Sequence, residues 1–194
     1  YTDDVFTAYV FIEICTLAST GILMIRQVGR TTVAAVRYLI FNLLGSGLFL
    51  IGIIILYDIT GHLLIPNIAE SVTNLVANGE YPVPLLISAS LITLGLAVKS
   101  GLFPFCYWMP DTYGYATTAS SSIISGIVSK IYIFTSIKML YRVMGASYAK
   151  QSHITDVLFV FGLAGMIIGS LHAIREKNIN RMVAFSSAAQ IGYI

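Results

Sequence analysis

Apolar residues in this chain do not alternate with polar ones; they run. Six stretches are almost wholly apolar: residues 5–25, 38–57, 82–103, 118–141, 155–174 and 182–194. A helix needs roughly 20 apolar residues to cross the hydrocarbon core of a bilayer. The first five stretches meet that length, and the end of the chain cuts the sixth. The longest connection, residues 58–81, is polar enough to read as an exposed loop. No period-two alternation, internal repeat or long polar linker separates the runs. The pattern predicts an all-α integral membrane protein, a polytopic helical bundle forming a single transmembrane domain over residues 1–194. The chain opens at Tyr1 just before one apolar run and stops at Ile194 inside another. A piece of a longer protein is therefore expected.

Composition agrees with the pattern. Of the 194 residues, 57% are hydrophobic and 10% charged, against about 25% charged in an ordinary soluble domain. The mean hydropathy is +0.83. A net charge of +2, scattered along the chain, points away from nucleic acid as a partner. Cys15 and Cys106 sit singly in apolar surroundings, a pattern of packing cysteines rather than of a disulfide framework or metal site.

Three charges within the apolar runs change the picture. Glu13 lies near the middle of the first, Lys99 near the end of the third, and Lys130 deep in the fourth. An acid or a lysine near the bilayer centre costs about 2.5–3.5 kcal/mol even on insertion scales. Three in one small bundle are cheaper if they face one another or water. Glu13 could simply lock two helices together, and Lys99 could snorkel toward the headgroups; Lys130 is too deep to do so easily. The functional reading is a proton path. Burial disfavours the charged form of either residue type, and an opposite charge nearby restores it. A lysine poised between these effects can load and release a proton as a neighbouring acid approaches or withdraws.

The stretch GLAVKSGLFPFCYWMPD, beginning at Gly95, places Gly101, Pro104 and Pro110 directly after Lys99. Proline cannot occupy an undisturbed helix interior. Freed backbone at membrane depth is tolerated where protein buries it or water wets it. The stretch predicts a discontinuous helix between Lys99 and Pro104, of the kind that lines hydrated cavities in secondary transporters. The plainer alternative is that Pro104 only begins a loop. His172, near the end of the fifth run, is either a proton relay or a helix-end histidine. Ser120, Ser121, Ser122, Ser125 and Ser129 offer hydroxyls for a water wire or small side chains for helix packing. His62 and His153 fall in loops.

Loop charge suggests an orientation. Arg26, Arg30 and Arg37 fall in the first loop and Arg175, Lys177 and Arg181 in the fifth, against Lys138, Arg142 and Lys150 around the fourth. Six basic residues against three put the first loop in the cytoplasm.

Four motifs then carry a family resemblance. VKSGLFPFCYWMPDTYGYA resembles the signature around the broken seventh helix of antiporter-like subunits, found in respiratory complex I, Mrp-type cation/proton antiporters and membrane-bound hydrogenases. The stretch EICTLAS, starting at Glu13, resembles the fifth helix of these proteins. SGIVSKIYIF, with Lys130, resembles the eighth, and REKNINRMVAFSSAAQIGYI the run into the tenth. Order and spacing match over almost the whole chain. The resemblance implies a fragment spanning helices five to ten of a fourteen-helix subunit. It implies that Glu13 and Lys99 form an ion pair, that Lys130 is the next proton carrier, and that Pro104 marks the break. It also implies other membrane subunits and the lipid bilayer as partners, protons as cargo with Na+ or K+ as candidate exchange ions, and the plasma membrane of a bacterium or archaeon. Some positions depart from the pattern: Cys106 stands where the motif has histidine, Asn178 and Asn180 replace an aspartate and a lysine, and Phe185 replaces a tyrosine. These departures suggest a divergent member, nearer the Mrp and hydrogenase branches.

The expected function is therefore proton, or cation/proton, translocation through a Glu13–Lys99–Lys130 relay with His172 as a further candidate, within a multisubunit complex. A redox-driven translocase could house it. No catalytic residue, metal ligand set or cofactor site is expected in the chain itself. A stand-alone transporter of a small solute is the rival, with a binding pocket at the helix break. A non-conducting structural subunit would have no need of the three charges.

Overall fold

The computed structural model describes residues 2–26 and 28–194. Helix α1 (Val5–Leu23) starts where the Asp4 side chain accepts a 2.7 Å hydrogen bond from the Thr7 amide, an N-cap that satisfies one orphan donor. A single 3₁₀ turn (Met24–Arg26) follows. Helix α2 (Gly29–Thr60) has 32 residues, which at 1.5 Å per residue is about 48 Å, well beyond the hydrocarbon thickness of about 30 Å. Arg30 and Arg37, expected in a loop, thus belong to its first turns. Helix propagation does not stop at the membrane surface when nothing in residues 29–37 breaks it.

The region from 58 to 81 corrects an expectation. It is not an exposed loop but carries helix α3 (Ile65–Asn78), with Pro66 in its first turn and Gly79, at φ 70°, closing it. Ile65, Ile68 and Val72 are buried, a three-to-four-residue spacing that puts them on one face. Polarity alone hid that periodicity. Backbone bonds from Val5 N to Leu63 O (3.0 Å) and from Ile65 N to Asp3 O (2.7 Å) pin the start of α3 against the start of α1. One isolated antiparallel bridge joins Asp4 and Leu64; the described residues include no strand.

Helix α4 (Pro82–Ser100) ends at Gly101, and a 3₁₀ turn (Phe105–Trp108) leads into the short helix α5 (Met109–Tyr115). Helix α6 (Thr118–Ile123), a π-helical segment (Ile124–Val128), α7 (Ser129–Lys138) and a second π segment (Met139–Val143) run on as one rod. Helix α8 (Ala146–Gln151) is a brief turn before α9 (Ile154–Arg175). Helix α10 (Ile179–Tyr193) begins three residues earlier than the apolar run, where the Asn178 side chain accepts from the Asn180 amide at 3.0 Å. Among the described residues, five segments are long and apolar enough to cross a membrane: Val5–Arg26, Gly29–Thr60, Pro82–Tyr115, Thr118–Val143 and Ile154–Arg175. The third continues past the break into α5.

Two tight pairs organise the bundle, α2 with α4 and α9 with α10. Small residues make both possible. A Cβ on Gly45 of α2 would stand 2.7 Å from the Gly95 carbonyl oxygen of α4, closer than real Cβ contacts come. Phe11, Leu17, Ile54, Phe134 and Ile174 are exposed on the outer faces. In water so much apolar surface would be a liability; against lipid it is the matching solvent.

Candidate functional site

Lys99 sits in the last turn of α4 and is completely buried. Its stem lies on the gap left by Gly45, whose absent Cβ would be 2.9 Å from Lys99 Cγ. The ammonium Nζ donates to Thr16 Oγ1 at 2.9 Å and meets Glu13 Oε2 at 3.5 Å. It also stands 5.3 Å from the centroid of the Tyr132 ring, within cation–π range. Glu13 and Thr16 reach it together because residues three apart share a helix face. The Glu13 side chain keeps 22% of its surface exposed while that of Lys99 keeps none. The two charges expected to pair are thus brought together, one sealed and one at the edge.

The break beside Lys99 has a clear physical origin. Gly101 adopts a left-handed φ of 80°, and its amide and that of Leu102 both return to the Ala97 carbonyl, at 3.1 and 3.0 Å. This glycine closure ends α4. Pro104 then leads into the 3₁₀ turn. Pro110 lies in the first turn of α5, where a missing N–H leaves no bond unmade, so it starts the second half rather than breaking the first.

Lys130 does not touch Lys99. It lies in the first turn of α7, half-buried, and folds back to donate to the Ser125 carbonyl at 2.8 Å within the π segment. Tyr132 follows two positions later, about 200° around a helix of 3.6 residues per turn. Helix α7 therefore shows Tyr132 to Lys99 and turns Lys130 to nearly the opposite side. His172 is exposed, bonded through Nδ1 to the Ile168 carbonyl at 2.8 Å and stacked on Phe185 at 5.2 Å. No contact among the described residues joins it to either lysine. Most of the serines serve the backbone: Ser120 donates to Ile22 O, Ser121 to Tyr113 O and Ser122 to Thr118 O. Ser129 pairs with the Tyr113 hydroxyl at 3.3 Å.

Around the charged pair stands a polar and aromatic shell that sequence reasoning missed. Tyr38 packs edge-on to Trp108 at 5.1 Å, and Trp108 to Tyr113 at 6.4 Å. The Tyr132 hydroxyl lies 3.0 Å from Thr16 Oγ1. Tyr38 Oη, Asn42 Oδ1 and Trp108 Nε1 are buried with no partner among the described residues, the kind of group that takes up ordered water. Asn42 is the one member with a visible signal, as an amide in an otherwise apolar run. A second cluster gathers Arg37, Asp111, Arg181 and Glu176. Asp111 meets Arg37 at 2.8 Å and Arg181 at 3.5 Å, and Arg181 meets Glu176 at 3.9 Å. It joins α2, α5 and α10.

The family described as NADH:quinone oxidoreductase/Mrp antiporter, transmembrane, matches residues 2–194. The chain belongs to this family. NADH-quinone oxidoreductase subunit N of Desulforudis audaxviator is 34% identical over 193 residues, covering 100% of this chain and 37% of that protein. Among solved structures, the membrane-bound sulfane sulfur reductase, an archaeal respiratory membrane complex, superposes with a TM-score of 0.87 at 30% identity, covering 98% of this chain and 38% of the other. The Mrp complex of Dietzia sp. gives 0.84 at 29%, covering 99% and 35%. The chain thus spans little more than a third of the length of the proteins it matches. These relatives are subunits of multisubunit membrane complexes, and this chain is part of an antiporter-like subunit with a multi-pass helical membrane fold.

Proposed function

We propose that the chain is the part of such a subunit that loads a proton on Lys99 and passes it on toward Lys130. The observation that carries this reading is a fully buried lysine at a helix break, facing a glutamate whose side chain is 22% exposed. At 3.5 Å and an effective dielectric of about 20, opposite unit charges attract by about 5 kcal/mol. Placing two charges at membrane depth costs about 5–7 kcal/mol on insertion scales. The two nearly cancel, so a small displacement of Glu13 changes which protonation state of Lys99 is favoured. With Glu13 close, Lys99 holds its proton as an ammonium. With Glu13 withdrawn, an N–H bond of that ammonium breaks and the proton crosses water to the neutral amine of Lys130, which becomes the ammonium.

The buried polar atoms of Tyr38, Asn42 and Trp108 support the wet part of this route, since among the described residues no hydrogen bond links the two lysines. His172 remains a candidate beyond Lys130, reached only by groups outside those described. A solute-binding pocket at the break has less support. A groove of about 390 Å³ takes in Ala97, Ser100 and Leu102, but the rest of its lining belongs to α7, its following π segment, α9 and α10, and Lys99 and Glu13 are not part of it. The proposed setting is a bacterial or archaeal plasma membrane, with other membrane subunits beside this one and Na+ or K+ as candidate exchange ions.

The test uses the full-length parent with its partner subunits in everted vesicles and a pH-sensitive dye. Lys99→Ala, assembled to the wild-type level, is expected to abolish cation-driven or redox-driven proton movement. Unchanged transport would remove Lys99 from the path.

A further inference from the structure

Thr16 holds the Lys99 head more closely than Glu13 does, at 2.9 Å against 3.5 Å. The same hydroxyl lies 3.0 Å from the Ile12 carbonyl and 3.0 Å from the Tyr132 hydroxyl. A threonine hydroxyl has one proton to give and two lone pairs with which to accept. With Thr16 donating to Ile12 O, the Lys99 ammonium and the Tyr132 hydroxyl fill both lone pairs. The group is saturated, and it is completely buried. Glu13, one turn earlier on the same helix, is part-exposed and makes no other hydrogen bond among the described residues.

We propose that Thr16 is a positioning residue for the proton step: it anchors the Lys99 ammonium against α1 and Tyr132, so that Glu13 can approach and withdraw without dragging the lysine along. The inference rests on Lys99 being the proton carrier. A lysine head is a point charge on a flexible four-carbon stem. Unanchored, it would follow the carboxylate, and motion of Glu13 would move a side chain instead of changing where the proton is favoured. Proton transfer also demands a donor and acceptor held to within about an ångström. The saturation of Thr16 separates anchoring from relaying, because passing a proton on would break its bond to Ile12.

The experiment compares Thr16→Val, Thr16→Ser and Lys99→Ala in the full-length parent with its partner subunits, in the same vesicle assay, at equal assembly. Valine keeps the shape of threonine and loses the hydroxyl; serine keeps the hydroxyl and loses the methyl. Thr16→Val is expected to lower the initial rate of proton movement about tenfold, the scale on which one hydrogen bond to a charged group acts. Thr16→Ser is expected to restore a rate near wild type. The opposite order, valine active and serine impaired, would show that Thr16 only packs and would overturn the proposal. So would a wild-type rate in Thr16→Val, and if Lys99→Ala is then still inactive, the reading of Lys99 survives without its anchor. Transport by Lys99→Ala would sink both. Should Thr16→Val fail to assemble, Thr16→Ala set against Thr16→Ser asks the same question of the hydroxyl.

Discussion

At the scale of single residues, the site is a charge pair of unequal burial held by a neutral third group. Lys99 is sealed, Glu13 reaches the edge, and Thr16 and Tyr132 define where the ammonium stands. Removing one partner of a buried pair is worse than removing both, because an uncompensated charge remains. Glu13→Gln keeps the length of the side chain and deletes its charge. The expected outcome is a clear loss of dye-reported proton movement, partly recovered in the double variant Glu13→Gln with Lys99→Gln only as assembly and thermal stability, not as transport. Equal stability of the single and double variants would show that the pair is not coupled. Thr16 and Tyr132 were illegible beforehand. A threonine three residues from a glutamate and a tyrosine two residues from a lysine are ordinary spacings until the helices that carry them are packed.

At the scale of elements, the α2–α4 contact sets the place of the lysine. The backbones approach at Gly45 and Gly95, and the Lys99 stem fills what a side chain on Gly45 would take. Gly45→Ala would place a methyl against backbone oxygen, a clash with little room to relax. Overpacking of this kind costs about 1–3 kcal/mol. A lower melting temperature of the assembled complex in detergent is expected, with slower transport. Gly47→Ala is the control: its Cβ meets nothing within 4 Å, and alanine is about 1 kcal/mol better than glycine in a helix. It is expected to melt at or slightly above the wild type. Equal melting of the two variants would refute the close approach. The discontinuous helix itself was legible from Gly101 and Pro104 after a charged residue. Helix α3 was not, because the three positions it buries, Ile65, Ile68 and Val72, are interleaved with polar neighbours.

At the scale of the whole molecule, the second half of the broken helix is tied down twice. Trp108, Met109 and Tyr113 are buried in the core, and Asp111 bridges Arg37 of α2 and Arg181 of α10. The ion pairs are partly exposed, with 59% of the Arg37 side chain open, and exposed pairs contribute about 0–1 kcal/mol. Asp111→Asn is therefore expected to change the melting temperature little. Faster amide hydrogen exchange over Met109–Tyr115 is expected instead, since those pairs join α5 to both neighbours. Unchanged exchange would mean that apolar packing alone holds α5.

The chain's own pattern was enough for the class of fold, the rough place of the long apolar helices, the break after Lys99 and the three charges set within apolar runs. Those follow from local physics: span length from hydrocarbon thickness, a helix stop from glycine and proline, and the expense of charge in lipid. The family resemblance implied that Glu13 and Lys99 pair, but only the packed bundle decided how they meet and that Lys130 stands apart. Glu13 and Lys99 are 86 positions apart and are joined because two glycines let α4 approach α2, while α1 covers the remaining side. Lys130 was legible as a charge within an apolar run, yet its distance from Lys99 depends on the turn of α7 that presents Tyr132 instead. Contacts of that kind depend on helix rotation and crossing, which side-chain volume across the whole bundle determines and no single run of sequence contains.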